Sequence, residues 1–406
     1  MNNPSHEKKT SNALKADRVI HRVTFNPNKA SPGEILHIPV PKLDDGVVLV
    51  PGTLALIFDL TVSGHANNFL VNNVARALVD RFTVKFAGEI LQDTNGYDLI
   101  KLYEDLFLTE KERAGRISEG IQSEDLSKIR CGSGDKKTSG VAKEIKLNDV
   151  YGSRYRIPID HHILDDHGVF FPRASSDELV FEMRLAPAGS VVKGSDETKL
   201  DYELNNIQLE YEVIHSKELA DESMKKYLNG KRFMYEHVTH HKTLTIDRQK
   251  DSIINESINV PRRSMKGLLL LFYEPYAKGA RDSEKSFFPD ITEVKVTVNG
   301  TPNKVFSQGM KARDMWEEVV RRFGKENSSM TPSEFYSDRF ALFIDLRSMK
   351  ENDLHGSGMR LVNTKDGVQL AINRNLKGSG NIKCHIFILS DAQFNIVNSE
   401  LESVMY

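Results

Sequence analysis

ITEVKVTVNGTPNKVFSQGMKARDMWEEVVRRFG, residues 291–324, is the stretch on which the fold is decided. Glu293 to Val298 alternates polar and apolar residues, Asn299-Gly300 forms a tight turn, and Thr301 to Phe306 runs back. Alternation with period two before Asn-Gly predicts a β-hairpin. After Ser307 the period changes: Ala312, Met315, Trp316, Val319, Val320 and Phe323 fall at helical spacing, and Gly324 can end the helix. The unit therefore reads strand, turn, strand, helix.

The same unit occurs earlier in the chain. Arg81 to Phe86 leads into Ala87-Gly88, Glu89 to Gln92 returns, and Leu99, Leu102, Tyr103, Leu106 and Phe107 repeat the helical stripe. Gly88 and Gly300 stand 212 positions apart (300 − 88), and Tyr103 and Trp316 stand 213 apart (316 − 103). A repeat this constant predicts two similar domains in tandem.

Strand signals continue on both sides of each unit. The first half offers Val19–Phe25, Glu34–Val40, Thr53–Val62, Arg154–Asp160, Glu178–Leu185 and Leu204–Ile214 beside its hairpin. The second offers His237–Ile246, Ile253–Val260, Gly267–Glu274, Arg339–Leu346, Gly367–Arg374 and Asn381–Leu389. Echoes bind the halves, such as Val40-Pro41 with Val260-Pro261 and Asn206-Ile207 with Asn381-Ile382. Eight short strands per half without βαβ alternation predict an all-β fold of two tandem eight-stranded antiparallel jelly rolls, each with a helix in a mid-domain crossover. Ser216 to Leu228, capped by Ser216 and ended by Asn229-Gly230, is the expected helical connector. The expected organisation is an N-terminal arm at 1–17, a first jelly roll at 18–215, a connector at 216–230, a second jelly roll at 231–390 and a C-terminal tail at 391–406. The charged, glycine-rich run from Thr109 to Ser153 is expected to be a long exposed excursion.

Composition narrows the function. The chain of 406 residues carries 55 Lys plus Arg against 57 Asp plus Glu, a net charge of −2, so no global field marks a nucleic-acid or membrane-surface binder. The two cysteines, Cys131 and Cys384, make neither a disulfide framework nor a zinc spacing and suit a reducing compartment. No apolar signal segment opens the sequence and no apolar run has membrane-spanning length, so the expectation is a soluble protein, intracellular when made. The sequons at Asn255, Asn299 and Asn327 are then chance matches.

Candidate sites dissolve on inspection. Cys131 to Thr138 resembles a phosphate loop, but Lys137 stands where the second glycine is needed. His161, His162, Asp165, Asp166 and His167, and also His237, His240 and His241, are types that bind transition metals. On a regular strand His237 and His241 share a face with His240 opposite, so these histidines are expected to be solvent-exposed or locally hydrogen-bonded, with a role near neutral pH in tuning subunit contacts. Trp316 lies on the helical stripe and is expected in the core. Arg262-Arg263 and Arg321-Arg322 are too sparse for a nucleic-acid groove, while Lys8, Lys9 and Lys15 belong to an arm expected to be an ordinary solvated tail, with weak contact to DNA phosphates as its other reading. No catalytic, cofactor or metal site is expected, and no enzyme.

Strand order, the repeated hairpin-helix unit and length together make residues 18–390 resemble the double jelly-roll major capsid proteins of the adenovirus and tectivirus lineage, most of all those of Polinton (Maverick) elements, adintoviruses and virophage-like relatives. The resemblance implies a homotrimer of pseudo-sixfold outline that assembles an icosahedral shell around double-stranded DNA, with a minor penton protein at the vertices. It also implies location in the virion, after synthesis in the host cytoplasm and assembly there or in the nucleus. With one long excursion, the outer surface is expected to be low. Phe394, Ile396 and Val397 of the tail are expected to dock on an adjoining subunit. The other reading of the same architecture is a two-domain β-sandwich carbohydrate-binding module or hydrolase, since fold alone does not set function.

Overall fold

The computed structural model describes residues 17–65, 68–122, 124, 154–165, 173, 175–303, 308–348 and 355–406. The arm, with Lys8, Lys9 and Lys15, most of the excursion after Ile121, Cys131, Asp166 and His167 lie outside the described residues.

Sixteen of the strands among the described residues form the framework of two sandwiches, and short strands such as Lys29–Ala30 and Val47–Leu49 add to the edges of the first. The first holds β1 (Asp17–Thr24), β2 (Ile35–Pro39), β3 (Ala55–Ser63), β4 (Val79–Phe86), β5 (Glu89–Asn95), β6 (Arg154–Pro158), β7 (Leu179–Leu185) and β8 (Asp201–His215). The second holds β9 (Lys231–Asp247), β10 (Ile253–Ile258), β11 (Met265–Tyr273), β12 (Ile291–Val298), β13 (Thr301–Pro302), β14 (Ala341–Asp345), β15 (Val368–Arg374) and β16 (Asn381–Val397). The strand β17 (Glu400–Met405) returns along the end of β16. Sheet order is β1-β8-β3-β6 facing β2-β7-β4-β5, and β9-β16-β11-β14 facing β10-β15-β12-β13. Counted in chain order, each domain places 1-8-3-6 against 2-7-4-5 with antiparallel neighbours, the jelly-roll arrangement expected from the strand count.

The alternation seen in sequence is the buried face. In β7 Leu179, Phe181, Met183 and Leu185 point inward and the intervening residues outward. Both hairpins turn through left-handed backbone, with Ala87 and Gly88 at φ 53° and 80° and Asn299 and Gly300 at 50° and 75°, the geometry that matches strand twist. Of the expected return strand Thr301–Phe306, Thr301–Pro302 is strand and residues 304–307 lie outside the described residues.

The helix after each hairpin is present: α1 (Tyr97–Asp105) and, past the connector helix α2 (Lys217–Leu228), α3 (Ala312–Phe323). Met315 and Val319 are buried, while Trp316 is half-buried with its ring edge-on to Phe335 at 5.1 Å. Gly324 ends α3 for a reason other than backbone freedom. Its φ is an ordinary −62°, but a Cβ there would lie 2.4 Å from the Val320 carbonyl oxygen. The opening of the expected excursion is ordered: Thr109 and Glu112 form a capping box that starts the helix Glu110–Gly115, and Ile121 is fully buried.

The expected boundary at residue 390 falls inside a strand. β9 and β16 each run 17 residues and pair along their whole length, from Lys231 opposite Ile396 to Asp247 opposite Asn381. Strands of this length exceed the usual five or six residues, because each serves two cores in succession.

Candidate functional site: the junction between the two sandwiches

The junction is made by exchange. At one end of the β9–β16 ladder, Phe233, Tyr235, Ala392, Phe394 and Ile396 belong to the core of the first sandwich. Phe394 stacks on Phe233 at 4.8 Å and lies 5.5 Å from Phe86 of β4. At the other end, Ile246, Ile382, Cys384 and Ile386 fill the second core. In return, Ile100, Tyr103, Leu106 and Phe107 at the end of α1 enter the second core, where Phe323 of α3 meets Tyr103 edge-on at 5.6 Å. Two of the three tail apolars, Phe394 and Ile396, therefore do not dock on an adjoining subunit, while Val397 is half-buried at the end of the strand. Phe394 and Ile396 are buried within their own chain, because the strand that carries them continues across the first sandwich.

A bulge makes this double service possible. The β9–β16 register slips between His240 and Lys242, leaving His241 as the extra residue. Before it the inward residues are Phe233, Tyr235 and His237, and after it Leu244 and Ile246. An extra residue reverses the faces of everything beyond it. His237 and His241 thus do not share a regular face, as the spacing alone predicted.

Polar bonds close the seam. The Tyr235 hydroxyl donates to the Leu91 carbonyl at 2.7 Å, Thr94 Oγ1 to the Val238 carbonyl at 2.5 Å and the Tyr406 hydroxyl to the Ile90 carbonyl at 2.6 Å. Arg281 from the second domain meets Asp98 at the start of α1 at 2.6 Å, both nine-tenths buried. Breaking such a pair leaves an uncompensated buried charge, which makes it specific for this docking geometry. Arg76 gathers Asp160 at 2.7 Å and Asp105 at 3.3 Å beneath the same helix.

Beside α1 lies a cavity of about 340 Å³ lined by Arg76, Lys101, Asp160, His162, Glu236 and Arg322 among others. Opposite charges on its walls pair with one another, as Lys101 does with Glu104 at 2.8 Å. The expected histidine sites come apart here. His161 is buried, approaches Gln92 at 3.3 Å and accepts from the Ile163 N–H at 3.2 Å. His237 is buried beside Thr239, and His240 stands over Phe387 and His385. The two buried rings are hydrogen-bonded and not solvent-exposed. Burial holds the His161 imidazole pKa well below its ordinary value and, aided by Arg262, brings that of His237 down to about 3. Neither changes charge near neutral pH, so neither tunes subunit contacts there. Among the described residues no three His, Cys, Asp or Glu side chains are placed to hold a metal ion. Cys384 is buried and its thiol pKa is pushed up by burial. Arg321 and Arg322 are engaged with Glu318 and Glu236.

No protein-family model matches the chain, and no curated protein sequence matches it. Solved structures do. VP54 of PBCV-1, fitted into a reconstruction of the virophage Sputnik, superimposes with a TM-score of 0.61 at 9% identity, covering 98% of this chain and 99% of that one. The Faustovirus major capsid protein gives 0.60 at 8% identity over 96% and 91% of the two chains. The mavirus major capsid protein gives 0.53 at 10% identity over 99% and 93%. The chain has the double jelly-roll fold of these viral capsid proteins.

Proposed function

We propose that this chain is a major capsid protein of a double-stranded DNA virus or virus-like element, working by self-association and not by catalysis. The observation that carries the reading is end-to-end likeness: chain and capsid protein cover one another almost entirely. The interlocked junction supports it, since a shell subunit must transmit load between its halves without hinging. Three copies of two similar domains give six alike units around one axis, an outline that tiles a closed lattice. Exposed apolar side chains at sheet edges, Val19, Ile20 and Val23 on β1 and Ile253 on β10, supply contact surface for neighbours. The carbohydrate-binding reading requires aromatic platforms, and among the described residues Tyr276 is the one large aromatic that is exposed.

A penton partner, contact of Lys8, Lys9 and Lys15 with packaged DNA, and location in the virion after cytoplasmic synthesis belong to the same proposal. Among the described residues no helix is long and apolar enough to cross a membrane. Light scattering on the purified chain, with electron microscopy of the same sample, tests the reading. The expected species is three times 45.9 kDa or a larger closed shell, and a monomer at all concentrations would overturn it.

A further inference from the structure

Three neighbouring strands of the second domain bring an amine and two carboxylates together. β16 lies between β9 and β11. Asp391 on β16 is directly opposite Glu236 on β9, and their side chains are only 3% and 9% exposed. Buried like charges facing across a ladder repel. On the other side the β11–β16 register slips between Met265 and Gly267, which makes Lys266 the extra residue of a bulge, and a bulge re-aims a side chain. The Lys266 Nζ lies 3.0 Å from Glu236 Oε2 and 3.5 Å from Asp391 Oδ1, itself 8% exposed.

The two oxygens of Asp391 are treated differently. Oδ1 faces the amine. Oδ2 accepts from the Ser264 hydroxyl and from the Gly356 N–H at 2.8 Å. The Gly358 N–H donates to Ser264 Oγ at 2.9 Å, which aims the hydroxyl proton at the carboxylate. Two donors on one oxygen of a carboxyl, with an amine 3.5 Å from the other oxygen of the same group, place a nucleophile beside an acyl carbon whose developing oxyanion already has its donors. A plain ion pair needs neither donor.

We propose that Lys266 and Asp391 condense in the folded chain to an intramolecular isopeptide bond, with Glu236 carrying the proton. Burial disfavours the charged pair, and the Lys266 ammonium passes a proton to Asp391 Oδ1, leaving a neutral amine and a neutral acid. Arg322, paired with the other oxygen of Glu236, holds that carboxylate ionised before the attack, so that it is free to take a proton. The Nζ lone pair attacks Cγ and forms the C–N bond, while the carbonyl pair moves onto Oδ2 between Ser264 and Gly356. Glu236 takes a proton from Nζ and returns it to the Oδ1 hydroxyl. Oδ1 leaves as water, the Oδ2 pair restores the carbonyl, and the products are one amide and one water. No oxidant, metal or cofactor enters the balance.

The intact mass of the full chain under denaturing conditions is the first test, and it needs no variant. The expected value is lighter than the sequence mass by one water, with a proteolytic digest giving a branched peptide that joins Lys266 to Asp391. K266R keeps the cation and its ion pairs but lacks the amine nucleophile, so it returns to the full sequence mass. E236Q is expected to lose the cross-link as well, and a fully cross-linked E236Q would remove Glu236 from the mechanism. A wild-type chain at its full sequence mass, with the two residues in separate peptides, overturns the proposal outright. Either result leaves the oligomeric state to its own measurement.

Discussion

His237 shows how a single buried titratable ring couples fold to pH. Its pKa is near 3 in the folded chain and about 6.5 when unfolded, so between these values the unfolded chain binds a proton that the folded chain does not. The stability this ring contributes is full above about pH 6.5 and is lost as pH falls toward 3, by roughly 2 kcal/mol at pH 5. Urea midpoints of the wild type near pH 7.5 and pH 5, compared with those of H237Q, measure it. The variant should show the shallower pH dependence, and parallel curves would refute the assignment. In the sequence His237 was recognisable only as one of several clustered histidines. Its burial depends on the strand beginning at Lys231, ahead of the residues where alternation is clear.

At the scale of elements, what was legible was local. The two hairpin turns, the Met315 and Val319 centre of the α3 stripe and the Ser216 cap each rest on residues within one turn or one pair of strands, and each formed where the pattern placed it. What escaped was register between distant strands. The bulge at His241 and the opposition of Glu236 to Asp391 are set by pairings across more than a hundred residues, and no local pattern encodes them. The length of β16 escaped for the same reason. Phe394 and Ile396 continue the period of Ile382 and Cys384, but only the partner strand shows that the ladder persists. The capping box at Thr109 and Glu112 was readable, although the charged composition around it pointed to loop. Phe394→Ala tests the reassignment of the tail. It removes a ring stacked on Phe233 inside the first core, and cavity formation at such a site costs about 3–5 kcal/mol. The loss should appear in chemical denaturation of dilute protein where no trimer forms. A stability change seen only when subunits associate would restore the docking reading.

For the whole molecule, exchange of elements means that neither sandwich is complete without the other. The first lacks part of its core unless β9 and β16 cross it, and the second lacks Tyr103 and Phe107 unless α1 enters it. The chain should therefore unfold in a single transition, and residues 1–230 expressed alone should be unfolded or molten. Circular dichroism and hydrogen exchange on that fragment decide the matter. Persistent native-like protection in it would show that the first sandwich closes by itself. The tandem repeat made two domains legible, whereas their mutual dependence lies in contacts between residues 86 and 394 or 103 and 323, which no repeat records.

The position of Phe394 and Ile396 also sets a clock on synthesis. A chain leaving the ribosome usually folds its N-terminal domain while the rest is still being made. Here the first core stays open until residues 392–396 have emerged, some 180 residues after β8, so its apolar face must wait uncovered for the strand that closes it. A nascent chain held in that state presents the kind of exposed apolar surface that holding chaperones recognise.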